Sequence, residues 1–190
     1  MTQVINTGLL EKTLSSVFPN RRVALLAEIL LLFLMGALAA ALHAKLRIPM
    51  QIPGRQGLVF MAVVILSRSF TKLPFASTVS FAGAAATMAL FPLGFGAAFT
   101  PIIYLWVGIC CDLFFRLSRL KSPKILLVGV ISGLSWMTIP LFRILLTLST
   151  GIYFDSFRFG YVYPVATHLL FGFLGGLLGF SAYRMLQSNK

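Results

Sequence analysis

The feature that most constrains this chain is a succession of continuous apolar runs, six in all, of which Val23 to Ala44 is the first. A run of roughly 20 mainly apolar residues is long enough to cross a bilayer as a helix. The runs are continuous rather than alternating, which favours helices over a transmembrane barrel. Only 11% of the 190 residues are charged and 58% are hydrophobic, too few charges to coat a soluble domain of this size. The expected fold is therefore an all-α integral membrane protein with six transmembrane helices in a single bundle.

The expected spans are about 23–44, 55–70, 74–91, 96–117, 125–150 and 161–186, between an N-terminal tail (1–22) and a four-residue tail (187–190). The first run is too long for a typical signal-peptide core and Glu28 interrupts its start, so it is expected to remain as a span. Six crossings put both termini on one side. With the termini inside, the inner segments hold eleven Lys and Arg against four outside, with Arg143 left within a helix. The positive-inside rule then predicts a cell (inner) membrane protein, multi-pass, with both termini cytoplasmic. The formal charge of +12 is explained by this topology, and no nucleic-acid partner is expected.

The stretch Lys45-Leu-Arg-Ile-Pro-Met-Gln-Ile-Pro-Gly-Arg-Gln-Gly57 runs against the charge trend, placing Lys45, Arg47 and Arg55 outside. Pro49 and Pro53 remove backbone donors and push their predecessors to extended geometry, so this reads as a structured surface loop and a candidate lid. Charges within hydrocarbon are costly and need a partner or a task. Arg143 falls roughly 10 Å from the outer end of the fifth span at 1.5 Å per residue. Pro140 lies one turn deeper, and His168 and Tyr104 lie at similar depth, which suggests a polar pocket beneath the loop. The competing expectation has Arg143 snorkelling outward and His168 bonded to a neighbouring helix.

The other polar groups carry simpler expectations. Asp112 and Arg116 are spaced as an i,i+4 pair, Glu28 is expected to be neutralised by Arg21 or Arg22, and Arg68 to snorkel. Trp136, Tyr153, Tyr161 and Tyr163 read as interfacial belt residues, the last three flanking Asp155 in a connection that would also serve as a lid. Small residues recur four apart at Gly36/Ala40, Ala37/Ala41, Ala40/Ala44, Gly129/Gly133, Gly172/Gly176 and Gly175/Gly179, a spacing that suits close helix packing. That packing is either internal to the bundle or, on the first helix, against a partner subunit.

Catalytic signatures are missing from the sequence. Gly129-Val-Ile-Ser132-Gly133 has one residue too many for a Gly-x-Ser-Gly nucleophile motif, although His168 is present. Neither a His-Glu-x-x-His pair nor a Walker motif occurs, and adjacent Cys110 and Cys111 read as packing residues, so neither enzymatic activity nor a metal or cofactor is expected.

The layout resembles the S component, the substrate-binding subunit, of energy-coupling-factor (ECF) vitamin transporters. The corresponding stretches are Ala37-Leu-Ala-Ala-Ala41 and Ala40-Ala-Leu-His-Ala44 on the first helix and Ile48-Pro-Met-Gln-Ile-Pro-Gly-Arg-Gln56 in the first outer loop. The resemblance implies uptake of a small nutrient from outside, with a T component and ATPase subunits supplying the work. It implies a pocket among Arg47, Gln51, Arg55, Tyr104, Arg143, Asp155 and His168, whose cations suit a carboxylate or phosphate on the substrate. It further implies that Ala37, Ala40, Ala41 and Ala44 face the T component. The alternative is a noncatalytic structural or assembly membrane protein.

Overall fold

Each apolar run becomes a helix because the backbone's polar groups must be satisfied within the segment when its flanks face hydrocarbon. The computed structural model describes residues 9–45, 52–91, 99–118 and 124–188. The described residues form seven α-helices, one 3-10 turn (Asp155–Phe157) and no strand. The helices are α1 (Leu9–Val17), α2 (Arg21–Lys45), α3 (Gly57–Ser69), α4 (Ala76–Leu90), α5 (Thr100–Leu117), α6 (Ile125–Thr150) and α7 (Val162–Ser188). Four of them (α2, α5, α6 and α7) are long and apolar enough to cross a membrane. The apolar α3 and α4 have 13 and 15 residues, or roughly 20 and 22 Å against about 30 Å of hydrocarbon. The chain is thus an all-helical, multi-pass membrane protein.

The exterior is apolar in the way lipid requires. Leu26, Leu30, Leu34 and Leu38 on α2, Ile102 and Ile109 on α5, and Leu145 and Leu148 on α6 are exposed. So broad an exposed apolar surface is foreign to a water-soluble monomer. The short α3 lies inside this coat, with Phe60, Met61, Val64 and Ile65 buried against α7, α2 and α4. Its approach to α7 depends on missing side chains. A Cβ at Gly175 would lie 2.8 Å from the Leu58 carbonyl oxygen, and one at Gly179 would strike Ala62.

Successive helices from α2 to α7 alternate in direction, as their meeting ends record. Glu28 near the start of α2 meets Thr71 after α3, and Asp112 near the end of α5 meets the start of α4. Phe70 after α3 meets Tyr183 near the end of α7, with ring centroids 5.0 Å apart. One end of the bundle therefore gathers α1 and the last turns of α7. The other gathers Gly54, Arg143, Asp155 and His168.

Several polar expectations are corrected at the terminal end. Asp112 pairs with Arg68 of α3 rather than with Arg116. It also accepts hydrogen bonds from the amides of Ser77 (3.1 Å) and Thr78 (2.7 Å) and from the Thr78 hydroxyl (2.6 Å). Those amides sit at the second and third positions of α4, where orphan donors need an acceptor, and α4 has no capping side chain of its own. Asp112 thus caps α4 from another helix. Arg68 does not snorkel: it also donates to the Ser77 hydroxyl (3.2 Å) and lies 4.4 Å over the Phe115 ring. Glu28 is buried and accepts a hydrogen bond from Thr71 instead of pairing with Arg21 or Arg22. The segment expected as a tail contains α1, tied to the bundle where the Leu10 amide donates to the Phe70 carbonyl (3.1 Å).

Trp136 is corrected too. It is fully buried rather than interfacial, with Phe60, Tyr104 and His168 among the rings around it. Tyr153, Tyr161 and Tyr163 are exposed, which suits an interfacial belt and a lid alike. Pro140 is accommodated within a continuous α6.

Candidate functional site

The start of α3 is shaped by a turn with a left-handed residue. Gly54 has φ of 81°, a conformation that favours glycine. Its carbonyl accepts hydrogen bonds from the Gly57 amide (2.8 Å) and the Trp136 indole Nε1–H (3.1 Å). A Cβ at position 54 would lie 2.7 Å from His168 Nδ1, so the loop backbone rests directly on α7. The indole of Trp136 therefore pins the outgoing limb of the Lys45–Gly57 stretch to α6.

Around this turn a cavity of about 470 Å³ opens at the bundle end. Its charged and polar lining comprises Arg55 and Gln56 from the loop, Arg143 from α6, Asp155, Ser156 and Arg158 from the α6–α7 connection, and His168 from α7. Arg143 lies 5.5 Å over the Phe154 ring, a cation–π contact that holds the guanidinium without using its donors. Arg143 Nε and Ser156 Oγ are buried and have no hydrogen-bond partner among the described residues. Leaving such groups unmet is costly unless something else meets them.

His168 is buried, and its Nδ1 lies 2.7 Å from the Pro164 carbonyl. A carbonyl only accepts, so Nδ1 carries the proton and Nε2 is the acceptor of the neutral ring. The cavity thus combines three guanidiniums, one carboxylate, a carboxamide, a hydroxyl and an imidazole. This set would bind an anion through the arginines and a donor group through Asp155.

The residues singled out in the sequence divide as follows. Arg55, Arg143, Asp155 and His168 line this one cavity. Arg47 and Gln51 lie outside the described residues. Tyr104 lies below the cavity in the aromatic core, its ring centroid 5.0 Å from Phe60 and 5.5 Å from Trp136, within electrostatic range of Arg143. On α2 the small-residue stripe splits. Gly36 and Ala40 are buried, with Gly36 against the Ser80 backbone, whereas Ala41 is exposed and Ala37 and Ala44 are half-buried. Ala40 consequently offers no surface to a partner in this conformation.

Sequence reasoning passed over Arg158, Ser156 and Gly54. Arg158 stands three residues after Asp155, and that local pairing of opposite charges in an otherwise uncharged connection was the available signal. The Ser132 hydroxyl donates to the Val128 carbonyl (2.8 Å) and is buried beside Gly176, so it is engaged within its own helix rather than with His168. Comparison of the chain with protein-family models, with curated proteins and with solved structures finds no match in any of the three.

Proposed function

We propose that this protein is the membrane-embedded substrate-binding subunit of a small-nutrient, vitamin-type uptake transporter, powered by separate ATPase subunits. In this reading α3 and α4 cross the membrane within the shelter of the four longer helices, giving six crossings and cytoplasmic termini. The cavity at the loop end then faces outward. The exposed face of α2 around Ala41 meets a T component, in keeping with the ECF S-component resemblance.

The observation that carries the reading is Arg143. A buried guanidinium nitrogen without a hydrogen-bond partner among the described residues lies beside a cavity of about 470 Å³, large enough for a small molecule. The three arginines against one aspartate favour a substrate bearing a carboxylate or phosphate. Native mass spectrometry of protein purified in mild detergent tests this. A stoichiometric small molecule is expected, with affinity falling about 10- to 100-fold in Arg143→Ala for the loss of a charge-assisted hydrogen bond. A protein that retains no small molecule and brings no ATPase with it overturns the reading in favour of a noncatalytic structural or assembly role. That second reading draws on the close glycine packing of α3, α6 and α7, which needs no ligand.

A further inference from the structure

A second cavity, of about 580 Å³, lies at the terminal end of the bundle between α1, the start of α2 and the α3–α4 link. Its rim carries three exposed cations, Lys12, Arg21 and Lys72, and the exposed Glu11, whose carboxylate is 3.9 Å from Lys72. Deeper in the lining sits Glu28, only 4% exposed. Among the described residues Glu28 has one hydrogen-bond donor, the Thr71 hydroxyl, and no cation within ion-pair range. That hydroxyl also accepts from the Leu73 amide (3.0 Å), so Thr71 is held in place by the backbone of the link. A carboxylate of low exposure with a single neutral donor is a poor structural element, because ionised buried groups need full compensation. It is well suited to a cationic head with several N–H donors entering from the cavity.

The arrangement of charge is therefore bipolar: positive at the mouth, negative within. A soluble anion would meet Glu28 unfavourably, and a simple cation would have to pass the Lys12, Arg21 and Lys72 rim. A zwitterion with phosphate outside and ammonium inside satisfies both. The cavity wall also includes Leu25, itself exposed and adjacent in the chain to the exposed Leu26. The polar site is thus continuous with the apolar coat of α2, along which acyl chains would run. We propose that this cavity binds a phospholipid through a phosphoethanolamine headgroup, its primary ammonium on Glu28 and its phosphate on Lys12 and Arg21. The proposal stands independently of any transport role, because it uses none of the residues of the opposite cavity.

The test is native mass spectrometry of delipidated protein titrated with phosphatidylethanolamine, with phosphatidylcholine, and with free phosphoethanolamine. One tightly held phosphatidylethanolamine is expected, preferred about tenfold over phosphatidylcholine, whose methylated ammonium has no N–H to donate. Glu28→Gln is expected to reduce that preference to about one, and Lys12→Ala with Arg21→Ala to weaken both lipids together. Equal binding of the two lipids by the unaltered protein overturns the proposal without reliance on any variant. So does a preference that survives Glu28→Gln, or free phosphoethanolamine displacing the lipid at equal concentration, which would make the cavity a site for a soluble metabolite.

Discussion

Asp112 concentrates four interactions in one carboxylate: an ion pair with Arg68, and hydrogen bonds accepted from two amides and a hydroxyl at the start of α4. Removing one partner of a largely buried pair leaves the other charge uncompensated, at a cost of about 3–5 kcal/mol. Asp112→Ala is expected to lower stability by about that amount in detergent unfolding measurements. Asp112→Asn keeps an acceptor for the α4 amides and is expected to cost about 1 kcal/mol less, the usual worth of a helix cap. Equal losses in the two variants would mean that capping contributes nothing. None of this was legible locally. Arg116, one turn from Asp112, is the partner that spacing suggests, whereas Arg68 is 44 residues away and Thr78 is 34. Helical periodicity carries no record of which neighbouring helix a side chain will meet.

Helix positions were far more legible than helix partners. The apolar runs correspond to α2 through α7 because hydrocarbon demands internally bonded backbone wherever charge is absent. The segment before Arg21 was harder to read, since the nine residues of α1 are clearly amphipathic but too few to signal a helix on their own, and one hydrogen bond ties them to the bundle. Small-residue spacing announced close packing without saying against what. Gly133 shows the internal answer: a Cβ there would lie 2.7 Å from the Leu169 carbonyl oxygen and force α6 and α7 apart. Gly133→Ala is expected to cost about 1–3 kcal/mol in the same unfolding measurement. Ala41 on the exposed flank of α2 is a contrasting case. Ala41→Leu is expected to change stability by less than about 0.5 kcal/mol, and to reduce co-purification of a partner membrane subunit if this face docks one. A large destabilisation in Ala41→Leu would move the stripe's role back inside the chain.

At the scale of the molecule, the two bundle ends differ in chemistry. The terminal end holds Asp112–Arg68, Glu28–Thr71 and the docked α1. The other end holds exposed tyrosines and the arginine-lined cavity. In the six-crossing reading proposed above, charge counting would orient the terminal end to the cytoplasm. In a chain with Cys110 and Cys111 replaced by Ser, a membrane-impermeant maleimide is expected to label Tyr153→Cys in intact cells, and Ser15→Cys only after permeabilisation. Labelling of both in intact cells would overturn six crossings with cytoplasmic termini. The cavity could be assembled from the sequence only in part. Arg143 and His168 were marked by their cost within an apolar environment and Asp155 by its place in the outer connection, but Trp136 looked interfacial because an indole suits both a membrane boundary and a core.

The hydrogen bond from Trp136 to Gly54 has a mechanical consequence. Around Asp112, several polar contacts clamp α3, α4 and α5 together, and a clamp of that kind resists shear. At the opposite end, the indole bond fastens the turn before α3 to α6, and the same glycine rests against His168 of α7. Displacing that turn must therefore break the indole bond and part the backbone from α7 in one movement, so the start of α3 is coupled to both helices.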